Sequence, residues 1–237
     1  ATPHDGSARS FASLMTMLDP TAIADPDHYT PDDIKGLFVR RFKKDINAGG
    51  AVFQERDVAM CPCDSSPAEE HAYEAFAELR LHSDEGKGPD QLFKITLEKA
   101  LFSSPAACIE TIGERVKNAE RRLAATANAS EKEDLQSDIS QLEGLRAALE
   151  RIAPQDFTRY QGLLRLLRDL QYAWNPQDPA DRVVIFTERI ATMEWVAARL
   201  QKDLGLSSSQ VATMSGGMSD IEQQDLVERF GRADDPV

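Results

Sequence analysis

Cysteine is scarce in this sequence. Three in 237 residues, Cys61, Cys63 and Cys108, cannot build a disulfide framework and fit a reducing compartment. Histidine is scattered: His4, His28, His71 and His82 stand at no metal-ligand spacing. Cys61-Pro62-Cys63 brings two thiols close, but a zinc site usually takes four ligands, so no metal site is expected. No apolar run nears the ~20 residues of a membrane span, and no secretory leader is legible. A cytoplasmic setting without a membrane partner is expected. Basic charge is in deficit, 27 Lys and Arg against 40 Asp and Glu, for a net charge of -13. A field of that sign disfavours non-specific binding to DNA or anionic lipid, so any nucleic-acid contact needs a local patch. Also missing are a G-x-x-x-x-G-K-[ST] phosphate loop and a DExH-type acidic box. Without them a chain has no phosphate cradle and no acids for Mg²⁺.

What is present is enough apolar character for a core, 41% of residues, and a largely helical middle. "ATPHDGSARSFASLMTMLDP" passes from a turn into a helix with Phe11, Leu14, Met15 and Leu18 on one face. Beginning at Ala1 in a turn, the chain reads as a piece of a longer one. Thr30-Pro31-Asp32-Asp33 reads as a helix start. "AVFQERDVAMCP", 51–62, alternates loosely like a strand. Ser66-Pro67-Ala68-Glu69 is a capping box opening a helix through about Leu81, residues 83–90 form a link, and a helix follows from about Gln91 to Phe102.

Residues 105–153 carry two apolar stripes. Ile109, Ile112, Val116, Ala119 and Leu123 form one; Leu135, Ile139, Leu142, Leu145, Leu149 and Ile152 form the other. A polar link with a capping box at Ser130 and Glu133 separates them. This predicts an antiparallel helical hairpin. It is either an arm that reaches a protein partner or an insert packed on its own domain.

After Pro154 the pattern alternates. A helix over 157–174, the apolar run Val183–Phe186, a helix over 190–203, the run 210–214 and a helix from Ser219 through Phe230 predict a parallel α/β sheet. In such sheets ligands bind beyond the carboxyl ends of the strands. Thr187, Glu188 and Arg189 would stand at one such end, and Ser215 to Ser219, with Gly216 and Gly217, at the next. Both lead into helix N-termini, which suit a phosphate. The same residue types also serve simply as helix caps.

Four phrases, in order, resemble one family. "ATPHDG" at 1–6 looks like the end of motif III of superfamily-two helicases in their Swi/Snf-like form. "IKGLFVRRFKKDI" at 34–46 resembles the Arg-Arg-x-Lys-x-Asp segment that follows the first RecA-like lobe. "DRVVIFTERIATMEWVAARL" at 181–200 resembles motif IV, and "VATMSGGMSDIEQQDLVERF" at 211–230 resembles the strand, turn and helix after it. The bacterial RapA-like branch is the most similar, and the wording is close to the Swi/Snf-like helicases of DISARM-type phage defence.

The resemblance implies the centre of a two-lobed motor. Residues 1–50 would end the first RecA-like lobe, 51–155 would form a helical inter-lobe region with the hairpin, and 156–237 would begin a second, partial parallel-sheet lobe. The intact parent would be a DNA-dependent ATPase that uses ATP and Mg to translocate on double-stranded DNA. This chain alone would bind neither cofactor and would be inactive. Thr2 and Pro3 would belong to the coupling motif. Thr187, Arg189, Gly216, Gly217 and Ser219 would face the DNA backbone, where phosphate contacts ignore sequence. Arg40, Arg41 and Lys43, from the dense basic cluster that also holds Lys35 and Lys44, would contact phosphate or the facing lobe. That cluster also reads as a solvated element end paired with Asp32, Asp33 and Asp45. His4 and Asp5 depart from the Leu-Gln-Asn ending of eukaryotic relatives. The alternative is a non-catalytic scaffold whose helical arm binds a protein.

Overall fold

The computed structural model describes residues 7–37, 58–82, 89–169, 174–178, 181–232 and 234–237. Regular structure among these residues is entirely helical. In chain order the helices are α1 (Ala8–Leu18), α2 (Pro67–Glu78), α3 (Pro89–Leu101), α4 (Pro105–Ala125), α5 (Ala129–Glu150), α6 (Thr158–Arg168), α7 (Ile190–Leu204) and α8 (Asp220–Gly231). The chain divides into two compact units, Ala1–Ala59 and Met60–Val237.

In the first unit Ser7 caps α1, its hydroxyl accepting from the Ser10 N–H. Ala12 and Met15 turn inward and pack with Ile23 and Ile34. Leu14 and Leu18, read as part of the inward face, are exposed. Thr30 to Asp33 does not open a helix. The Asp33 carboxylate accepts from both the N–H and the hydroxyl of Thr30, and residues 31–37 form turns. A short acid beside Thr and Pro competes with helix by bonding its own backbone. Tyr29 donates to the Ala8 carbonyl at 2.8 Å, and Arg9 pairs with Asp27.

The second unit is built on α4 and α5, an antiparallel pair joined by Thr126 to Asn128. Ile112, Val116 and Ala119 face Leu135, Leu142, Leu145 and Leu149, all buried. The start of α5 differs from the expected Ser130–Glu133 box. Asn128 is the N-cap, accepting from Ser130 and Glu131 N–H groups. Asn caps as well as Ser, and Glu131 is engaged elsewhere, by the Thr126 hydroxyl at 2.6 Å and Arg122 at 3.1 Å. Those two contacts hold its carboxyl below its ordinary range, the Thr126 hydrogen bond first.

Other helices pack against this pair: α2 on α5, and α3 and α7 on α4. The hairpin is therefore a scaffold of its own unit, which favours the packed reading over the free arm. The chain after α2 is pinned along α5. Gln141 exchanges two hydrogen bonds with the Arg80 backbone at 2.8 and 2.7 Å, and the Asp138 carboxylate accepts from His82 N–H at 2.8 Å. A second cluster joins Phe157, Tyr160, Leu164 and Leu167 of the α6 region to Leu200 of α7. Trp195 meets Phe157 and Tyr160 edge-on, with ring centroids 5.5 and 5.0 Å apart. Helix α7 ends at Gly205, whose φ of 67° supplies the left-handed turn that other residues adopt at a cost.

The expected parallel sheet is not there. Among the described residues no strand forms, and the runs 183–186 and 210–214 are irregular. The RecA-like reading of the last third is corrected accordingly. A strand is stabilised by a neighbour that takes its N–H and C=O groups, and two short parallel strands make a marginal ladder. Val183, Val184, Ile185 and Phe186 are all exposed, Phe186 at 92%. Of the strand read over 51–62, residues 58–62 are irregular and 51–57 lie outside the described residues.

Candidate functional site

Thr187 and Arg189 stand at the start of α7. Arg189 is the N-cap position, yet no side chain caps this helix. The Thr187 hydroxyl accepts from the Arg189 N–H at 3.4 Å, which bends the chain into the helix. The Arg189 guanidinium does not pair with Glu188. It donates to the Thr96 carbonyl of α3 at 3.1 Å and so ties α7 to α3.

Gly216, Gly217 and Ser219 lead into α8. Met218 N–H donates to the Ser215 carbonyl at 3.2 Å, closing the turn that carries both glycines. Ser219 and Glu222 form a full capping box. Hydrogen bonds from Ser219 N–H and hydroxyl depress the Glu222 carboxyl. The two loops therefore differ. The one before α8 is closed by its own side chains, and the one before α7 has no side-chain cap.

A groove of about 380 Å³ lies beside the α7 loop. Phe157, Tyr160 and Leu163 form one wall and Met193, Val196 and Leu200 another. Residues 185–187 and 211–213 complete it. Thr187 lines this groove with Thr213, whereas Gly216, Gly217 and Ser219 are not among its lining residues. Ser103 and Thr192 also line it, their hydroxyls 2.7 Å apart, and the buried Ser104 hydroxyl lies 2.7 Å from that of Thr192. Arg159 donates to the Phe102 carbonyl.

Two structural features were not legible as such. Glu69 is 2% exposed and serves two helices. It accepts from its own N-cap Ser66 at 2.8 Å, and from the Thr158 N–H and hydroxyl at 3.2 and 2.9 Å. It thereby caps α6, whose N-cap Phe157 has no capping side chain. The capping-box spacing announced the first role and nothing local announced the second. The other is Tyr160, which donates to Asp203 at 2.8 Å while Arg199 grips the same carboxylate at 2.9 Å. This holds the Asp203 carboxyl low, the Tyr160 hydrogen bond first, while burial and Asp203 push the phenol up to about 12.

Thr2, Pro3, Arg40, Arg41 and Lys43 lie outside the described residues. Among the described residues no group of three or more His, Cys, Asp or Glu could hold a metal ion. The sequence holds neither a G-x-x-x-x-G-K-[ST] phosphate loop nor a DExH-type acidic box. Among the same residues no helix is long and apolar enough to cross a membrane. Compared with protein-family models, curated proteins and solved structures, the chain matches none.

Proposed function

We propose that this chain serves an ATP-driven motor of the Swi/Snf-like kind that moves on double-stranded DNA in the cytoplasm. It supplies a central part of that motor and not the ATP site. The sequence supports this through four phrases in order, at 1–6, 34–46, 181–200 and 211–230. The observation that carries it in the structure is the start of α7. Its amides lack a side-chain cap, while α2 and α8 close theirs with capping boxes. Uncapped amides carry partial positive charge and suit a phosphate oxygen, with exposed Thr187 beside them. Contacts of that kind hold a duplex without reading its bases. No step of ATP chemistry runs through residues of this chain.

The test uses the polypeptide of the complete gene. It should hydrolyse ATP, and duplex DNA should stimulate it, whereas the 237-residue chain alone should not hydrolyse ATP. Hydrolysis that ignores DNA, or a full polypeptide that captures a protein partner and never binds duplex, overturns the proposal. Arg189 sharpens it. If its guanidinium leaves Thr96 for phosphate, Arg189→Ala weakens duplex binding about equally across sequences and lowers the salt slope by about one. An unchanged slope leaves Arg189 as a tie between α3 and α7.

A further inference from the structure

Cys61 and Cys63 hold an arrangement that the motor reading does not use. Both thiols are free, Cys61 exposed and Cys63 half-buried. Both sulfurs approach one point over α6, the place a Cβ would occupy at Gly162. Cys63 Sγ is 2.6 Å from it and Cys61 Sγ 3.8 Å. A contact of 2.6 Å is closer than a real Cβ tolerates, so the absence of a side chain at Gly162 is what seats Cys63 there. The Arg165 guanidinium lies 3.9 Å from the same point. Cationic neighbours stabilise thiolate and repel a metal cation, so they favour thiol chemistry over metal binding.

We infer that Cys61 and Cys63 form a thiol–disulfide exchange site for low-molecular-weight disulfides, of which glutathione disulfide is the probe. Exposed Cys61 attacks first. Its thiolate, after giving a proton to water, bonds to one sulfur of glutathione disulfide, and the other glutathione leaves as thiolate. Cys63, across Pro62, then loses its proton and attacks the Cys61 sulfur of this mixed disulfide. The second glutathione leaves, and a Cys61–Cys63 disulfide remains. Two cysteine thiols are oxidised by two electrons, one glutathione disulfide is reduced by two, and the two protons end on glutathione. A ring closed over one intervening residue is exposed and reducible, as regulatory disulfides are.

The order of attack follows from access. Burial and then the neighbouring Cys61 push the Cys63 thiol up, and the charges of Arg165 and Arg159 offset part of that. Cys63 is thus screened from bulky reagents but well placed to attack a neighbour. Cys108 provides an internal control. It is buried, and that burial pushes its thiol up to about 12, so it carries almost no thiolate near neutrality.

The experiment incubates the 237-residue chain with graded ratios of oxidised to reduced glutathione, quenches with N-ethylmaleimide under denaturing conditions and maps each cysteine by mass. The expected product is the peptide containing Cys61 and Cys63 short of two hydrogen atoms, with Cys108 fully alkylated. Cys63→Ser should trap glutathione on Cys61. Cys61→Ser should slow glutathione addition at position 63 by at least about tenfold. Circular dichroism should show both variants folded. A parent chain that keeps glutathione on either sulfur without closing the ring overturns the inference. So does equal reactivity of Cys61 and Cys63 in the two single variants.

Discussion

The second unit contains two kinds of apolar sequence with opposite fates. In residues 97–149 Leu97, Leu101, Ile112, Leu142, Leu145 and Leu149 of α3 to α5 are buried against one another. In residues 183–227 comparable side chains stand in solvent: Val184, Phe186, Ile190, Met214, Ile221 and Val227 are exposed, and α8 buries no residue. Apolar character alone does not separate the two regions, since both carry many branched apolar residues. What separates them is how far the partner lies along the chain. A helix satisfies its own backbone and needs only one apolar face covered. A strand is incomplete until a distant segment supplies its hydrogen bonds. The difference predicts that stability is concentrated in the helical region of α3 to α5.

The largest effect should come from the hairpin seam. Leu145→Ala removes a fully buried side chain facing α4 and should cost about 2–5 kcal/mol, the range for a leucine cavity. Urea denaturation of parent and variant measures it. A cost below about 1 kcal/mol would show that the seam is not tightly packed in solution, and the contrast between regions would collapse.

Glu69 tests how the helical region is tied to α6. Glu69→Ala would leave the Ser66 N–H and both Thr158 donors without their acceptor. Hydrogen bonds to charged groups contribute about 1.5–3 kcal/mol, so a loss of about 2–3 kcal/mol in the same denaturation assay is expected. Glu69→Gln keeps acceptor oxygen but not charge, and should lose about half as much. Equal losses would mean that the charge, and not the capping geometry, is what α6 depends on.

These residues also show where sequence was sufficient. The helices from α2 to α5 follow from their periods and breaks, because period and cap are local properties. The Ser66 and Ser219 boxes form as their spacing predicts. The Ser130 box does not, because Asn128, two residues earlier, offers an equally good acceptor. The runs at 183–186 and 210–214 carry strand composition without strand structure, because pairing is not encoded within four or five residues. Of the site, the positions of Thr187 and Arg189 at a helix start were legible. The bond from Arg189 to Thr96, 93 residues away, was not, nor was the seat that Gly162 gives Cys63.

Tyr160 lies between the two regions, where α6 meets α7, and its effect should depend on pH. Tyr160→Phe loses a hydrogen bond to the Asp203 carboxylate, at about 1–2 kcal/mol near neutrality. The Asp203 carboxyl is depressed, so its contribution is present above the unfolded value of about 3.9 and lost as pH falls through the lower folded value. The phenol is raised to about 12. Its contribution is present below the unfolded value of about 10 and lost as pH rises through the folded one. Stability measured from pH 3 to 12 should therefore show the parent losing its advantage over Tyr160→Phe at both ends. A constant difference across that range would mean that the phenol contributes by packing on Trp195 and not through Asp203.

The smallest effect should be at Phe186. Its ring is 92% exposed, so Phe186→Ser removes little buried area and leaves no cavity. Substitutions at such positions fall within about 0.5 kcal/mol. A thermal melt should be nearly unchanged, while self-association in sedimentation should fall, since Phe186 stands with Val184 and Ile185 in a contiguous exposed apolar run. The informative result is the opposite one. If Phe186→Ser costs as much as Leu145→Ala, the run at 183–186 is packed in solution, and the last third is held by contacts of the same strength as the hairpin. The two regions would then be one cooperative body, and the open start of α7 would have to be judged against a covered neighbour.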